Sequence, residues 1–355
     1  MKKLLTALLI LALVIVPLNG NSISANTLGD DGLLLNPELD AYVDNIISVH
    51  LYSTENDFGD YVISKPFILK NVEEGISTVC YLVKLNNGIN KILEVAKKDG
   101  KFYSTLSGFF ANELQNYIKE IDMDGQLFTD GNYVIIENEM GKQTLYSYDK
   151  DVEMSSKLSS KLSVDQNSYI LDSVKGVRNS TQLSSLSISY NGRPEPTNYR
   201  HLRVSPIRQE SANWCWAACT AMGINYSTRY YVNQRDVVEY VYGRIIDAPG
   251  SGRDVSDAYR NWGIRAAIKS SLYFRDVVRE IEADRPIVLG LNTGRVGHMV
   301  IINGFDDWYG SDWSSDQVLR MIDPYDGSEI TSTYSNDDYI RYNGAWERCI
   351  ENIVQ

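Results

Sequence analysis

Gln209-Glu210-Ser211-Ala212-Asn213-Trp214-Cys215-Trp216-Ala217-Ala218-Cys219-Thr220-Ala221-Met222-Gly223 decides how the second half of this chain reads. Two polar residues, Ser211 and Asn213, precede a run of strong helix formers. The pattern predicts a helix that begins at Cys215 and stops at Gly223. A thiol in that position has a chemical consequence. The free N–H groups and the dipole at a helix start favour thiolate over thiol, and the thiolate is the nucleophile. An acyl-transfer site also needs donors for an oxyanion. The Cys215 backbone N–H is one candidate, and the Gln209 side-chain amide, six residues upstream, is another.

A thiol nucleophile needs a base. The chain has three histidines: His50, His201 and His298. His298 heads the apolar run Gly297-His298-Met299-Val300-Ile301-Ile302-Asn303-Gly304-Phe305-Asp306, which has strand character. It shares its half of the chain with the Cys-Trp pair and is the candidate general base. An imidazole base needs an acceptor that fixes its tautomer. Asp323, in Arg320-Met321-Ile322-Asp323-Pro324, ends the next apolar run. Two neighbouring antiparallel strands would set it beside His298. Asp306 and Asp307 compete for the role, but they follow His298 on its own segment, which makes a return contact harder. Cys219 competes with Cys215, one helical turn along the same face. The Gln209 spacing and Trp216 favour Cys215. Cys219 then reads as a small core residue or a disulfide partner for Cys349. Cys80 reads as an inert buried thiol.

Around this centre, residues 236–242, 254 onward and 275–283 read as further helices, with Asp254 as a cap for the middle one. Residues 287–291, 298–303 and 318–322 read as strands. Helices first and strands later predict a two-layer α+β domain over 199–355. Residues 26–150 read differently. Short β-type runs at 78–85, 102–106, 133–137 and 144–148 are separated by turn signals such as Asn87-Gly88 and Asp99-Gly100, and a helix falls over 109–121. This predicts a small antiparallel α+β domain. Residues 151–198, rich in Ser, Asn and Thr, have the composition of an exposed connector. Lys2 and Lys3, the uncharged run Leu4 to Val16, and the small residues up to Ala25 have the layout of a secretory signal peptide over 1–25.

Composition narrows the function. The 355 residues carry a net charge of −12, with 43% hydrophobic and 23% charged residues. That is a globular balance, and its acidity argues against a nucleic-acid partner. Four cysteines are too few for a disulfide-built scaffold of this size. The acids Asp306, Asp307, Asp312 and Asp316 lack the spacing and glycine of a calcium loop, so neither a metal nor a cofactor is expected.

The pattern Gln209-Xaa5-Cys215-Trp216, then Gly297-His298-Xaa-Val300 with Gly304-Phe305-Asp306, then Asp323-Pro324, resembles the papain-like cysteine peptidases of clan CA. The compact bacterial forms are the nearest in spacing: the staphopain, AvrRpt2-type and C39-like groups. The resemblance covers residues 199–355. It implies a papain-like two-layer fold with Cys215 as nucleophile, His298 as base, Asp323 as its orienting partner and Gln209 as oxyanion donor. Papain and the staphopains carry Asn at the third position, and some compact relatives carry Asp. Residues 26–150 resemble, more weakly, the propeptides of staphopain-like enzymes. A secreted, monomeric endopeptidase follows as the expectation. It would act on proteins or peptides and be held inactive by its own N-terminal propeptide until cut within 151–198. Two other readings use the same residues: a transglutaminase-like acyltransferase, and a non-catalytic secreted binding protein.

Overall fold

A computed structural model describes residues 37–147 and 196–353, apart from 55–60, 72–76, 86, 87, 89, 99, 121–124, 130–132, 271, 293–296, 309–315, 335–337 and 340–343. The expected signal peptide and nearly all of the expected connector lie outside the described residues.

In chain order the first half gives α1 (Pro37–Thr54), β1 (Tyr61–Ile63), β2 (Phe67–Asn71), β3 (Ser77–Leu85), β4 (Asn90–Lys98), β5 (Lys101–Ser107), α2 (Ala111–Glu120), β6 (Gln126–Thr129), β7 (Tyr133–Asn138) and β8 (Gly141–Ser147). The period of 2 in β3 explains this arrangement. Val79, Tyr81 and Val83 point into one core cluster with Leu39, Val43, Ile46 and Ile47 of α1. Cys80 and Leu82 point the other way, into a cluster with Leu114, Tyr117 and Ile118 of α2. The strand is apolar on both faces because a helix covers each face. Cys80 is a filler of the second core. Burial raises its thiol pKa well above the ordinary value, which keeps it inert.

The second half gives β9 (Asn198–His201), α3 (Cys215–Ser227), α4 (Gln234–Tyr242), α5 (Gly252–Asn261), β10 (Arg265–Lys269), α6 (Phe274–Glu282), β11 (Ile287–Asn292), β12 (Gly297–Trp308), β13 (Asp316–Asp323), β14 (Ser328–Thr333), β15 (Asp338–Tyr339) and β16 (Gly344–Ile353). The fold is α+β. The helices precede most of the strands, and α3 packs on β12 within one core that also holds Trp216, Met222, Val300 and Ile302.

Three local expectations change in detail. The helix starting at Cys215 does not stop at Gly223 but runs on to Ser227. Gly223 is there for packing: a Cβ at that position would lie 2.1 Å from the Tyr259 hydroxyl. Asp254 does not cap α5. Ser251 is the N-cap, and Asp254 is the third helical residue that closes the capping box with it. α4 likewise starts earlier than 236, from a box between Asn233 and Asp236.

One sheet runs through both halves in the order β10-β16-β11-β12-β13-β14-β5-β4-β3-β2-β6-β7-β8. The halves join where β14 pairs antiparallel with β5, at Thr331 opposite Leu106 and Ser332 opposite Thr105. The seam is polar and buried. Ser104, Thr105, Thr331 and Ser332 are all buried. Bonds cross between the two strands, with Ser104 N donating to Thr333 Oγ1 at 2.9 Å and the Thr105 and Ser332 hydroxyls 3.0 Å apart. His50 of α1 closes the seam. Its Nδ1 lies 2.8 Å from Thr331 Oγ1 and its Nε2 2.8 Å from Ser104 Oγ.

Candidate active site

The site lies where the head of α3, the start of β12 and the end of β13 converge. β12 and β13 are antiparallel, with Ile301 opposite Ile322, so His298 and Asp323 fall at the same end of adjacent strands. His298 Nε2 donates to Asp323 Oδ1 at 3.0 Å. A carboxylate oxygen only accepts, so this contact fixes the proton on Nε2. The imidazole also hydrogen-bonds the Cys215 side chain. With Nε2 engaged, that contact falls to Nδ1. The three groups form one line of contact from thiol to imidazole to carboxylate. Asp306 and Asp307 stand farther along β12, and the carboxylate beside His298 is that of Asp323.

Each member is held by its surroundings. Asp323 is fully buried, and the Tyr325 backbone N–H donates to the same Oδ1 at 2.8 Å. The turn after β13 is closed by Gly327, whose N–H donates to the Asp323 carbonyl at 2.8 Å. Its φ of +74° suits glycine. Burial pulls the His298 pKa down. The adjacent Asp323 charge, its hydrogen bond and the Cys215 thiol outweigh this and push it up to about 10. The imidazole therefore holds a second proton at neutral pH, which suits an imidazolium beside a thiolate.

The end of α3 differs from those of its neighbours. α4 and α5 satisfy their first N–H groups with capping boxes. α3 has Trp214 at its N-cap and no side-chain cap bond. The N-terminal N–H groups around Cys215 are therefore not satisfied by a protein side chain, the local condition for stabilising an anion there. Two indoles frame the thiol. Trp214 Nε1 donates to the Ile246 carbonyl at 2.8 Å, and Trp216 Nε1 donates to the Ala248 carbonyl at 3.0 Å. Gly250 lies flat on Trp216, where a Cβ would come within 2.2 Å of the ring.

Gln209 is tied into the same region. Its backbone N–H donates to the Pro324 carbonyl at 2.6 Å, next to Asp323. Its side-chain Nε2 donates to the carbonyls of Ser211 and Ala212, each at 2.9 Å. In this arrangement both amide hydrogens serve the loop, and Oε1 is buried without a hydrogen-bond partner. Action as an oxyanion donor requires Gln209 to release one of those carbonyls.

Cys219 is fully buried and its Sγ lies 3.4 Å from the Met299 carbonyl. It is a free thiol. Burial, then the charges of Cys215 and Asp323, raises its pKa well above the ordinary value. It is a core residue of α3.

Sequence reasoning missed the involvement of the first half in this region. Tyr325, two residues after Asp323, donates its hydroxyl to the Ser147 carbonyl at the end of β8. Its ring meets Tyr146 with centroids 5.4 Å apart. No hydropathy period signals such a contact. It joins the end of β8 to the turn after β13, about 180 residues on, through one phenol.

Comparison with known proteins bears on the second half. Residues 201–350 match the model of the Peptidase_C39 like family. This is less than half of the chain, and the likeness supports a peptidase of the cysteine kind. One similar solved structure is of a Bacillus anthracis protein described as a C39-like peptidase. It is 12% identical, with a TM-score of 0.33, over 44% of this chain and 98% of that one. No curated protein matches.

Proposed function

We propose that this protein is a secreted cysteine endopeptidase made as a precursor, whose N-terminal half restrains the site until the connector is cut. The observation that carries the reading is the unbroken contact from the Cys215 thiol through His298 to the buried Asp323, at an uncapped helix start.

The chemistry follows from those positions. The Cys215 thiolate attacks the scissile carbonyl carbon, and the carbonyl π electrons move onto oxygen. The Cys215 N–H faces that oxyanion, joined by the Gln209 amide once it leaves the Ser211 or Ala212 carbonyl. The imidazolium of His298 gives its proton to the departing amine as the C–N bond breaks, leaving a thioester on Cys215. His298, now neutral, takes a proton from water, and the resulting hydroxide displaces the thiolate. Asp323 stays ionised throughout and steadies the imidazolium.

Two features support restraint by the N-terminal half. The seam between β14 and β5 fastens it to the strand after Asp323. The Tyr325–Ser147 bond holds the turn that carries both Asp323 and the Pro324 carbonyl anchoring Gln209. Export is supported by Lys2, Lys3 and the apolar run that follows.

Purified full-length chain should process itself within residues 151–198 and hydrolyse unstructured peptides. Cys215→Ala should do neither. Peptide hydrolysis that persists undiminished in Cys215→Ala would refute the proposal.

A further inference from the structure

The loop pinned beside the nucleophile carries a charged group that the reaction does not use. Ile246 and Ala248 both turn their carbonyls inward to the indoles of Trp214 and Trp216. Gly250 is wedged on the Trp216 ring. The loop is thus fixed at three points within five residues. Between the first two stands Asp247. Its Oδ1 accepts the Asn213 backbone N–H at 3.0 Å.

This bond sets an upper limit on the distance of the carboxylate from the chemistry. Asn213 is two residues before Cys215, so at most about 7 Å of backbone separates its nitrogen from that of Cys215. Asp247 is exposed to solvent. Among the described residues it forms no ion pair, whereas Glu210, in the loop before Cys215, is already paired with Arg235 at 2.6 Å. The arrangement leaves one exposed carboxylate tied to the backbone two residues before Cys215, with only one of its oxygens used in that bond. A ligand that uses it does not have to order the loop first, which removes part of the usual cost of binding.

We infer that Asp247 selects substrates with a lysine or arginine next to the scissile bond. The inference rests on Cys215 being the nucleophile. The long stems of lysine and arginine span the gap between an attacked peptide and this carboxylate, and their charges match it. Arginine can engage the free Oδ2 while Oδ1 keeps its bond to Asn213. An acidic side chain at the same place meets like charge and is disfavoured.

The test uses the full chain after activation and a set of fluorogenic peptides. These carry Lys, Arg, Leu or Glu in turn at each of the two positions flanking one bond. For the wild type, kcat/KM for the best basic peptide should exceed that for its Leu counterpart by about 10- to 100-fold, the range for a charge-assisted bond. Glu should be the poorest. In Asp247→Asn, which can still accept the Asn213 N–H, the basic-to-Leu ratio should collapse toward one. In Asp247→Lys, the order of Glu and Lys peptides should reverse. A wild type that cleaves through Cys215 with no basic preference, or an Asp247→Asn protein that keeps the preference, overturns the inference alone. A wild type no more active than Cys215→Ala on any of these peptides overturns the peptidase reading and this inference with it.

Discussion

Two imidazole–carboxylate pairs share strand β12, one with β13 and the other with β9, and they differ in what stands behind them. At one end of β12 and β13, His298 Nε2 meets Asp323 Oδ1 at 3.0 Å. At the other end, His201 Nε2, from β9, meets Asp306 Oδ1 at 2.9 Å. Both carboxylates are fully buried. The first imidazole turns its other nitrogen to a thiol at a helix start. In the second pair it is the carboxylate that has the further partner. Asp306 Oδ2 accepts from Arg320 Nε at 3.2 Å, and the same guanidinium donates to the Tyr52 carbonyl near the end of α1 at 3.2 Å. A histidine–aspartate contact is therefore not a catalytic signature in itself. One such contact stands beside the thiol proposed as the nucleophile, and the other ties the N-terminal helix to the second half.

The comparison breaks most sharply under alanine substitution of each imidazole. His298→Ala removes the imidazole that contacts Cys215 and should lower kcat/KM for peptides by about 100- to 10,000-fold. His201→Ala should leave kcat/KM within a few-fold of wild type. Its loss should appear in the midpoint of denaturant unfolding, by about 1–2 kcal/mol, because a buried carboxylate oxygen loses its donor. A large kinetic loss in His201→Ala with unchanged stability would erase the distinction.

Replacing each carboxylate by its amide sharpens the difference. For Asp306, burial alone would raise the pKa, but the His201 bond and the Arg320 charge outweigh it and hold it below the ordinary carboxylate range. Asp306→Asn leaves the Arg320 cation buried without its counter-charge, so destabilisation by about 3–5 kcal/mol is expected. The pH profile of peptide hydrolysis should keep its shape. Asp323→Asn should do the reverse. The amide oxygen can still accept from Nε2, but the charge that raises the His298 pKa is gone. The imidazolium then loses its proton at lower pH, and the alkaline limb of activity should move toward acid. Steady-state profiles and unfolding curves of both variants decide the matter.

These outcomes also mark what the sequence could reveal. The helix at Cys215, the strand led by His298 and the strand ended by Asp323 were legible because each carries an apolar period that its neighbours break. Gly223 misled because a glycine after a helical run signals a stop, whereas here it makes room for the Tyr259 hydroxyl. The seam between the halves left no trace. Ser104, Thr105, Thr331 and Ser332 are polar, yet they are buried because they find partners across the sheet and in His50. Hydropathy records what a residue prefers when alone, and these four are inside only as a set. The tie from Arg320 to α1 is hidden for the same reason.

His50 tests that seam with the smallest of the three effects. It is fully buried between two hydroxyls, and burial lowers its pKa from 6.5 to about 3. The sign follows directly. A histidine whose folded pKa lies below its unfolded value binds its proton more readily in the unfolded chain. Its contribution to stability is complete above about pH 6.5 and falls as pH drops toward 3. The loss is about 1.4 kcal/mol for each pH unit below 6.5, so about 1.4 kcal/mol at pH 5.5. His298 has the opposite sign. Its raised pKa gives stability that is present at pH 5.5 and is lost only as pH rises toward 10. A His50→Gln chain keeps hydrogen-bonding groups at the seam but cannot titrate. Wild type should therefore lose about 1.4 kcal/mol more than His50→Gln between pH 7.5 and 5.5, measured by urea unfolding. If both chains lose the same amount, His50 is not dry at the junction, and the union of the two halves does not depend on a neutral imidazole.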